Sequence, residues 1–279
     1  ELLASPADRF GLASGIPVAA GAADTAAALL GAGVAVGETQ LSTGSGGQLA
    51  RLIDRVAVDP IGRTHLYRAV GAHWYAMAAI QNAGLAIDWA IDLLGAAPEE
   101  VASVMDGSPD RADEAVVFLP YLSGERTPHL DPALTGSWVG LRPGTSRSAL
   151  IRSVFEGVAF ALRDGLDALR GAGHPIDQAL LAGGGSVAPW WRRLLADALE
   201  LPLVAHDAAD ASVRGAGLLG WSSIGVEIDP GAAVRRSEPI VPSDAGVARL
   251  AAGRARFLAA GPGLPAGSGG VASVGSRPD

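Results

Sequence analysis

Residues 178–224 switch twice between a short apolar run and a helical pattern, and that alternation decides the fold class. Gln178-Ala179-Leu180-Leu181 reads as a strand, Gly183-Gly184-Gly185 as a loop, and 189–199 as a helix with Pro189 at its first position. Leu203-Val204-Ala205 gives the next strand and 212–224 the next helix. Two consecutive strands running the same way need a crossover, and a helix supplies it. The βαβα order therefore implies a parallel sheet with helices on its faces.

The rest of the chain carries compatible patterns. Ile16-Pro17-Val18-Ala19-Ala20 reads as a short buried strand that enters a tight turn at 21–24, with a small-residue helix over 25–31. Residues 39–50 read as a hairpin around Thr43-Gly44-Ser45-Gly46-Gly47. Residues 64–79 read as strand, 82–94 as helix, 99–105 as a second short helix and 116–121 as a buried strand. A charged, proline-containing loop follows over 123–136. Leu150, Ile151, Val154, Phe155, Val158, Ala159 and Leu162 recur at helical spacing, which predicts a long helix over 146–170 capped by Ser146 or Ser148. Residues 226–244 read as loop and 245–259 as a last helix; the Gly/Pro/Ser-rich tail from Gly261 reads as disordered.

Composition narrows the function classes. The 279 residues are 49% hydrophobic and 18% charged, a globular balance, and the net charge is −8. An acidic chain is a poor general nucleic-acid binder. Nucleotide binding stays open, because backbone N–H groups can hold phosphates without basic side chains. There is no cysteine, so disulfides and thiolate metal sites are excluded, and a cytoplasmic location is compatible. No apolar run is long enough for a transmembrane helix, and no signal peptide is visible. The five histidines show no metal-ligand spacing and read as surface or partly buried groups.

Three glycine-rich turns, at 21–24, 44–47 and 183–185, each follow a strand. Such turns let backbone approach an anion closely; any one alone is more often a plain loop, and three in this order carry more information. Asp24 precedes the helix at 25–31, where an aspartate serves as an N-cap.

The order of these segments resembles the FGGY carbohydrate kinase family. Residues 15–18 with Gly21-Ala22-Ala23-Asp24-Thr25 look like the family's segment with the catalytic aspartate, and 40–47 like its second phosphate loop. Residues 118–128 are similar to a stretch of xylulokinase-like members. Gly136-Ser137-Trp138-Val139-Gly140-Leu141 and Ser153-Val154-Phe155-Glu156-Gly157 follow the C-terminal signature, and 182–186 resemble the adenosine loop. The resemblance covers roughly 12–225. Ser45 stands where the family usually has threonine, Ala149 where it has a polar residue, and Pro189 where some relatives have asparagine.

This resemblance implies an α/β fold of ribonuclease-H-like, actin-like ATPase architecture, with βαβ units, a mixed sheet and flanking helices. It implies ATP-dependent phosphorylation of a sugar hydroxyl, D-xylulose first, with ribulose, gluconate, glycerol and fuculose as other acceptors. Asp24 would be the general base. Gly44, Ser45 and Gly46 would contact the β- or γ-phosphate, and Gly84 and Asp88 the nucleotide. Gly183, Gly184, Gly185 and Ser186 would hold the adenosine. ATP and Mg²⁺ are the implied cofactors, no metal-ligating residue is assigned, and a homodimer is compatible. Glu125 and Arg126 could bridge to another part of the molecule, line the cleft or form an exposed ion pair.

The implied division is 1–37 as the end of the sugar-binding first lobe and 38–225 as the nucleotide-binding domain. Residues 226–260 would form a terminal loop and helix, and 261–279 the tail. The chain begins at Glu1 and holds no Asp-x-Gly-Thr phosphate loop. The expectation is a fragment lacking most of the N-terminal lobe, with weak nucleotide binding and little turnover alone. Two other readings are a non-catalytic nucleotide-binding remnant and a chaperone-like ATPase of the same superfamily.

Overall fold

The computed structural model describes residues 1–107, 115–183 and 188–262. Its centre is a six-stranded mixed sheet in the order β3-β4-β2-β1-β7-β8. Strands β1 (Thr39–Thr43) and β2 (Gly47–Ile53) form the expected antiparallel hairpin, with Thr43 opposite Gly47. Strand β4 (Trp74–Ile80) continues the antiparallel half on β2, and β3 (His65–Arg68) forms its edge. On the other side of β1 the sheet turns parallel. Leu41 faces Leu181 of β7 (Ala179–Ala182), and Leu180 faces Val204 of β8 (Leu203–Ala205). The βαβα reading of 178–224 is thus realised, with α6 (Pro189–Leu199) as the crossover helix and α7 (Ala211–Ser223) following β8. A small pair, β5 (Val117–Leu119) with β6 (Ser137–Val139), lies apart from the sheet.

Strand period two divides the apolar residues between two faces. Leu41, Leu49, Ala78, Ile80 and Leu181 pack into one core with α5 (Arg147–Gly171). Ala50, Met77, Ala79, Leu180 and Val204 point the other way, onto α2 (Asp24–Gly31). Helix α5 starts where its cap predicts: the Ser146 hydroxyl accepts the Ala149 N–H at 3.0 Å. It is enclosed on several sides, with α3 (Gly84–Leu94), α4 (Pro98–Asp106), α6 and α8 (Asp244–Ala260) around it. Phe155 stacks edge-on against Trp190 and Trp191 of α6 at 5.0 and 5.7 Å. A short helix, α1 (Ala4–Phe10), lies near the start and ends on Gly11.

Three expectations need correction. Residues 16–20 are not a buried strand: Ile16 and Val18 are exposed and the segment joins no sheet. An apolar run becomes a strand only where a neighbour accepts its hydrogen bonds, and here the contact is a pair of bonds between Leu2 and the Gly15–Ile16 backbone. Residues 64–79 are two strands rather than one, reversed at Gly71, whose φ of +70° suits glycine. His174, read as surface or partly buried, is buried behind the end of α5. The tail expected to be disordered lies beyond the described residues from 263 onward.

Candidate active site

The turn between β1 and β2 and the start of α3 are built as one piece. Gly44 N–H donates to Gly46 O at 2.9 Å and closes the turn. Gly84 N–H donates to Gly44 O at 2.9 Å, and the N–H groups of Ala83 and Leu85 both reach Ser45 O, at 3.1 and 3.0 Å. The first donors of α3 are therefore spent on the turn. Gly84 is required by this contact, since a Cβ there would lie 2.5 Å from Gly44 O. Among the described residues the N–H groups of Ser45 and Gly46 donate to no carbonyl, which leaves two backbone donors for an anion.

Asp24 faces this turn across a cleft of about 510 Å³ that both line, together with Gln48, Gln81 and Arg126. Asp24 is the first residue of α2 rather than its cap; Ala23 occupies the cap position and makes no side-chain bond. The Asp24 carboxylate accepts the Thr25 N–H at 2.7 Å, so it satisfies a helix-terminal donor while staying exposed to the cleft. Thr25 in turn donates its hydroxyl to Gln48 Oε1 at 3.2 Å.

The position of α2 is set by α7. The two helices cross with glycines at the contact: a Cβ on Gly31 would overlap the Ala211 carbonyl, and one on Gly215 the Ala27 carbonyl. Arg214 donates to Gly31 O, and Ser212 donates to the Asp24 carbonyl at 3.3 Å. Backbone packs directly on backbone, so α2 has little room to slide.

A second hollow of about 630 Å³ shares Gln40, Ser42 and Ser212 with the first and runs on to Gly183, His206 and Asp210. Gly183 adopts φ +95°, and a Cβ there would meet Thr43 O at 2.7 Å. Gly184, Gly185 and Ser186 lie outside the described residues. Asp88 is exposed on α3 and lines neither hollow.

Glu125 and Arg126 are not an exposed ion pair. Glu125 is buried, and one carboxylate oxygen accepts the N–H groups of Gln81 at 2.6 Å and Arg126 at 2.7 Å. Burial pushes its carboxyl up to about 7, against the pull of those two donors. Arg126 is exposed and lines the cleft. The sequence pattern did not single out Gln48, Gln81 or Ser212. Gln48 is a polar residue beside the glycine turn in a strand that also carries Arg51, which is a weak signal; Gln81 and Ser212 carry none. Among the described residues no group of three His, Asp or Glu side chains is placed to hold a metal ion. No helix among them is long and apolar enough to cross a membrane.

Residues 42–224 match the model of the FGGY family of carbohydrate kinases, C-terminal domain. The chain is 35% identical over 198 residues to the xylulose kinase of Escherichia coli K12, covering 70% of this chain and 41% of that protein. It is 28% identical over 230 residues to the gluconokinase of Bacillus subtilis, covering 78% of this chain and 45% of that protein. A crystal structure described as a "xyloylose kinase" from Brucella ovis superposes with a TM-score of 0.80 at 34% identity, over 93% of this chain and 54% of that one. The chain thus spans less than half the length of these two curated relatives. A match over residues 42–224, from the β1–β2 hairpin to the end of α7 and on the same fold, makes this chain a member of the FGGY family of carbohydrate kinases, with those residues in the family's C-terminal domain.

Proposed function

We propose that the protein transfers the γ-phosphoryl group of ATP to a hydroxyl of a sugar, with D-xylulose as the acceptor and D-xylulose 5-phosphate as the product. The observation that carries this reading is the single cleft that Asp24 shares with the Gly44–Gly46 turn. A carboxylate on one wall and unspent backbone N–H groups on the other suit a proton acceptor facing a phosphate cradle. The acceptor hydroxyl oxygen forms the bond to the γ-phosphorus, and the bond from that phosphorus to the bridging oxygen breaks. Its electron pair leaves on ADP, and the hydroxyl proton passes to Asp24. The contiguous second hollow provides the volume for the nucleoside, with Gly183 at its edge. Mg²⁺ would enter as an ion carried by the nucleotide phosphates, which with water can supply most of its oxygen ligands; Asp24, the one carboxylate among the described residues lining this cleft, is kept for the proton, so no residue of this chain is assigned to the ion. When bound it would neutralise phosphate charge.

In this reading, residues 1–37 close a sugar-binding lobe and 38–225 form the nucleotide-binding domain. Xylulose as acceptor is supported by the xylulose kinases among the relatives, and gluconate is the alternative that the gluconokinase relative supports. The test is ADP release with ATP and Mg²⁺ against D-xylulose, D-ribulose, gluconate, glycerol and fuculose, using this chain and a form extended upstream. Release on D-xylulose by the extended form, lost in Asp24→Ala, is expected. Release on gluconate alone would reassign the acceptor, and no sugar-dependent release from either form would point to a nucleotide-binding remnant or to an acceptor outside this panel.

A further inference from the structure

The chain has no lysine, so every fixed side-chain cation is an arginine. Among the described residues that line the phosphate-side cleft, Arg126 is the one such cation. Its guanidinium makes no ion pair or hydrogen bond with another described residue. An exposed arginine of that kind usually sits on an unremarkable loop. This one sits on a loop stitched to the end of β4 by five hydrogen bonds. Thr127 N–H donates to Ala79 O at 2.9 Å, and Ala79 N–H to the Thr127 hydroxyl at 3.2 Å. Gln81 N–H donates to the buried Glu125 carboxylate at 2.6 Å. Asn82 donates to Gly124 O at 2.6 Å and accepts from the Ser123 hydroxyl at 3.0 Å.

The same strand end supports the phosphate turn, since a Cβ on Gly46 would lie 2.7 Å from Ile80 O and 3.4 Å from Gln81 O. The loop bearing Arg126 and the glycine turn therefore rest on one rigid base. The cation is also electrostatically live: burial first, and Arg126 second, hold the His65 imidazole below its ordinary range.

We infer that Arg126 is a catalytic residue of the transfer, its guanidinium hydrogen-bonding the oxygens of the γ-phosphoryl group as that group passes from nucleotide to sugar. The inference rests on the phosphoryl transfer proposed above. Charge in that step spreads over the non-bridging oxygens and the departing bridge oxygen. A planar fork of N–H donors held by a preorganised backbone stabilises it without reorganising at the moment of reaction. Lysine would supply the charge but not the two-pronged geometry.

The experiment compares wild type, Arg126→Met and Arg126→Lys as the full protein, with ATP, Mg²⁺ and its best acceptor. Arg126→Met is expected to lower kcat about 10²-fold, with KM for ATP and for sugar moved less than about threefold, and Arg126→Lys to recover part of the loss. Calorimetry supplies a second readout. ADP alone should bind all three alike, whereas ADP with aluminium fluoride should bind Arg126→Met at least about 30-fold more weakly than wild type. Unchanged kcat in Arg126→Met, a rise in sugar KM alone, or equal weakening of ADP with and without aluminium fluoride would overturn the role. A wild type that binds ADP yet phosphorylates no acceptor overturns the kinase reading, and this role with it. An active wild type with an equally active Arg126→Met overturns this role alone.

Discussion

Glu125→Gln should change how stability depends on pH. The Glu125 carboxyl sits at about 7 in the folded protein, against an ordinary 4.5, because burial outweighs the two N–H donors on its oxygen. The folded state therefore holds the proton more tightly than the unfolded one. Stability from this group is complete below about pH 4.5 and is lost as pH rises through 7. A gap of that size corresponds to about 3 kcal/mol between the two ends of the window. Glutamine keeps a carbonyl oxygen for the Gln81 and Arg126 N–H groups and does not titrate. Its amide meets the spot where the second carboxylate oxygen has no hydrogen-bond partner, which adds an offset that is the same at every pH. The quantity to measure is thus the change with pH in the stability difference between wild type and variant, from urea melts at pH 4.5, 6 and 8. The variant should gain about 3 kcal/mol on wild type across that range, or on the order of 6 °C in Tm. A difference that stays constant within about 1 kcal/mol would mean that Glu125 titrates as an ordinary carboxyl and that its burial carries no such penalty.

Asp24→Asn should reduce kcat by about 10³-fold in a coupled ADP assay while leaving the melting curve almost unmoved, because the side chain is exposed. Gly215→Val should destabilise the protein by about 1–3 kcal/mol and lower kcat as it drives α2 away from α7, whereas Gly217→Ala, with open space around its Cβ, should be neutral or slightly stabilising by calorimetry. Gly84→Ala should raise KM for ATP several-fold, since the new methyl pushes on the Gly44 carbonyl and displaces the turn; an unchanged KM would show that the turn makes no nucleotide contact.

Much of the fold was legible because it is local. The apolar spacing from Ile151 to Leu162 and the Ser146 cap mark α5, and Thr43-Gly44-Ser45-Gly46-Gly47 marks the hairpin, each within a single window of sequence. The strand expected at 16–20 failed because a strand is a relation between two segments, and one apolar run contains only half of it. The reversal at Gly71 was hidden because apolar and aromatic residues flank it on both sides. In the site, Asp24 and the Gly44–Gly46 turn stood out by type and order. The bonds that fix the Arg126 loop join residues 41 to 48 positions apart, and Ser212 meets Asp24 across 188, separations at which no periodicity operates. Glu125 illustrates the limit well: as a letter it reads as solvated charge, and only the packing around it makes it a buried anchor.

The glycine crossing of α2 on α7 bears on which parts of the proposed kinase would travel together. Asp24 lies in a stretch read from sequence as the end of the sugar-binding lobe, yet its helix is fastened through Gly31, Gly215, Arg214 and Ser212 to a helix that follows the last parallel strand. In a two-lobed kinase that opens and closes, the proton acceptor would then ride with the nucleotide side. The alignment of carboxylate and phosphate would be preserved throughout the cycle, and closure would have one remaining task, the delivery of the sugar.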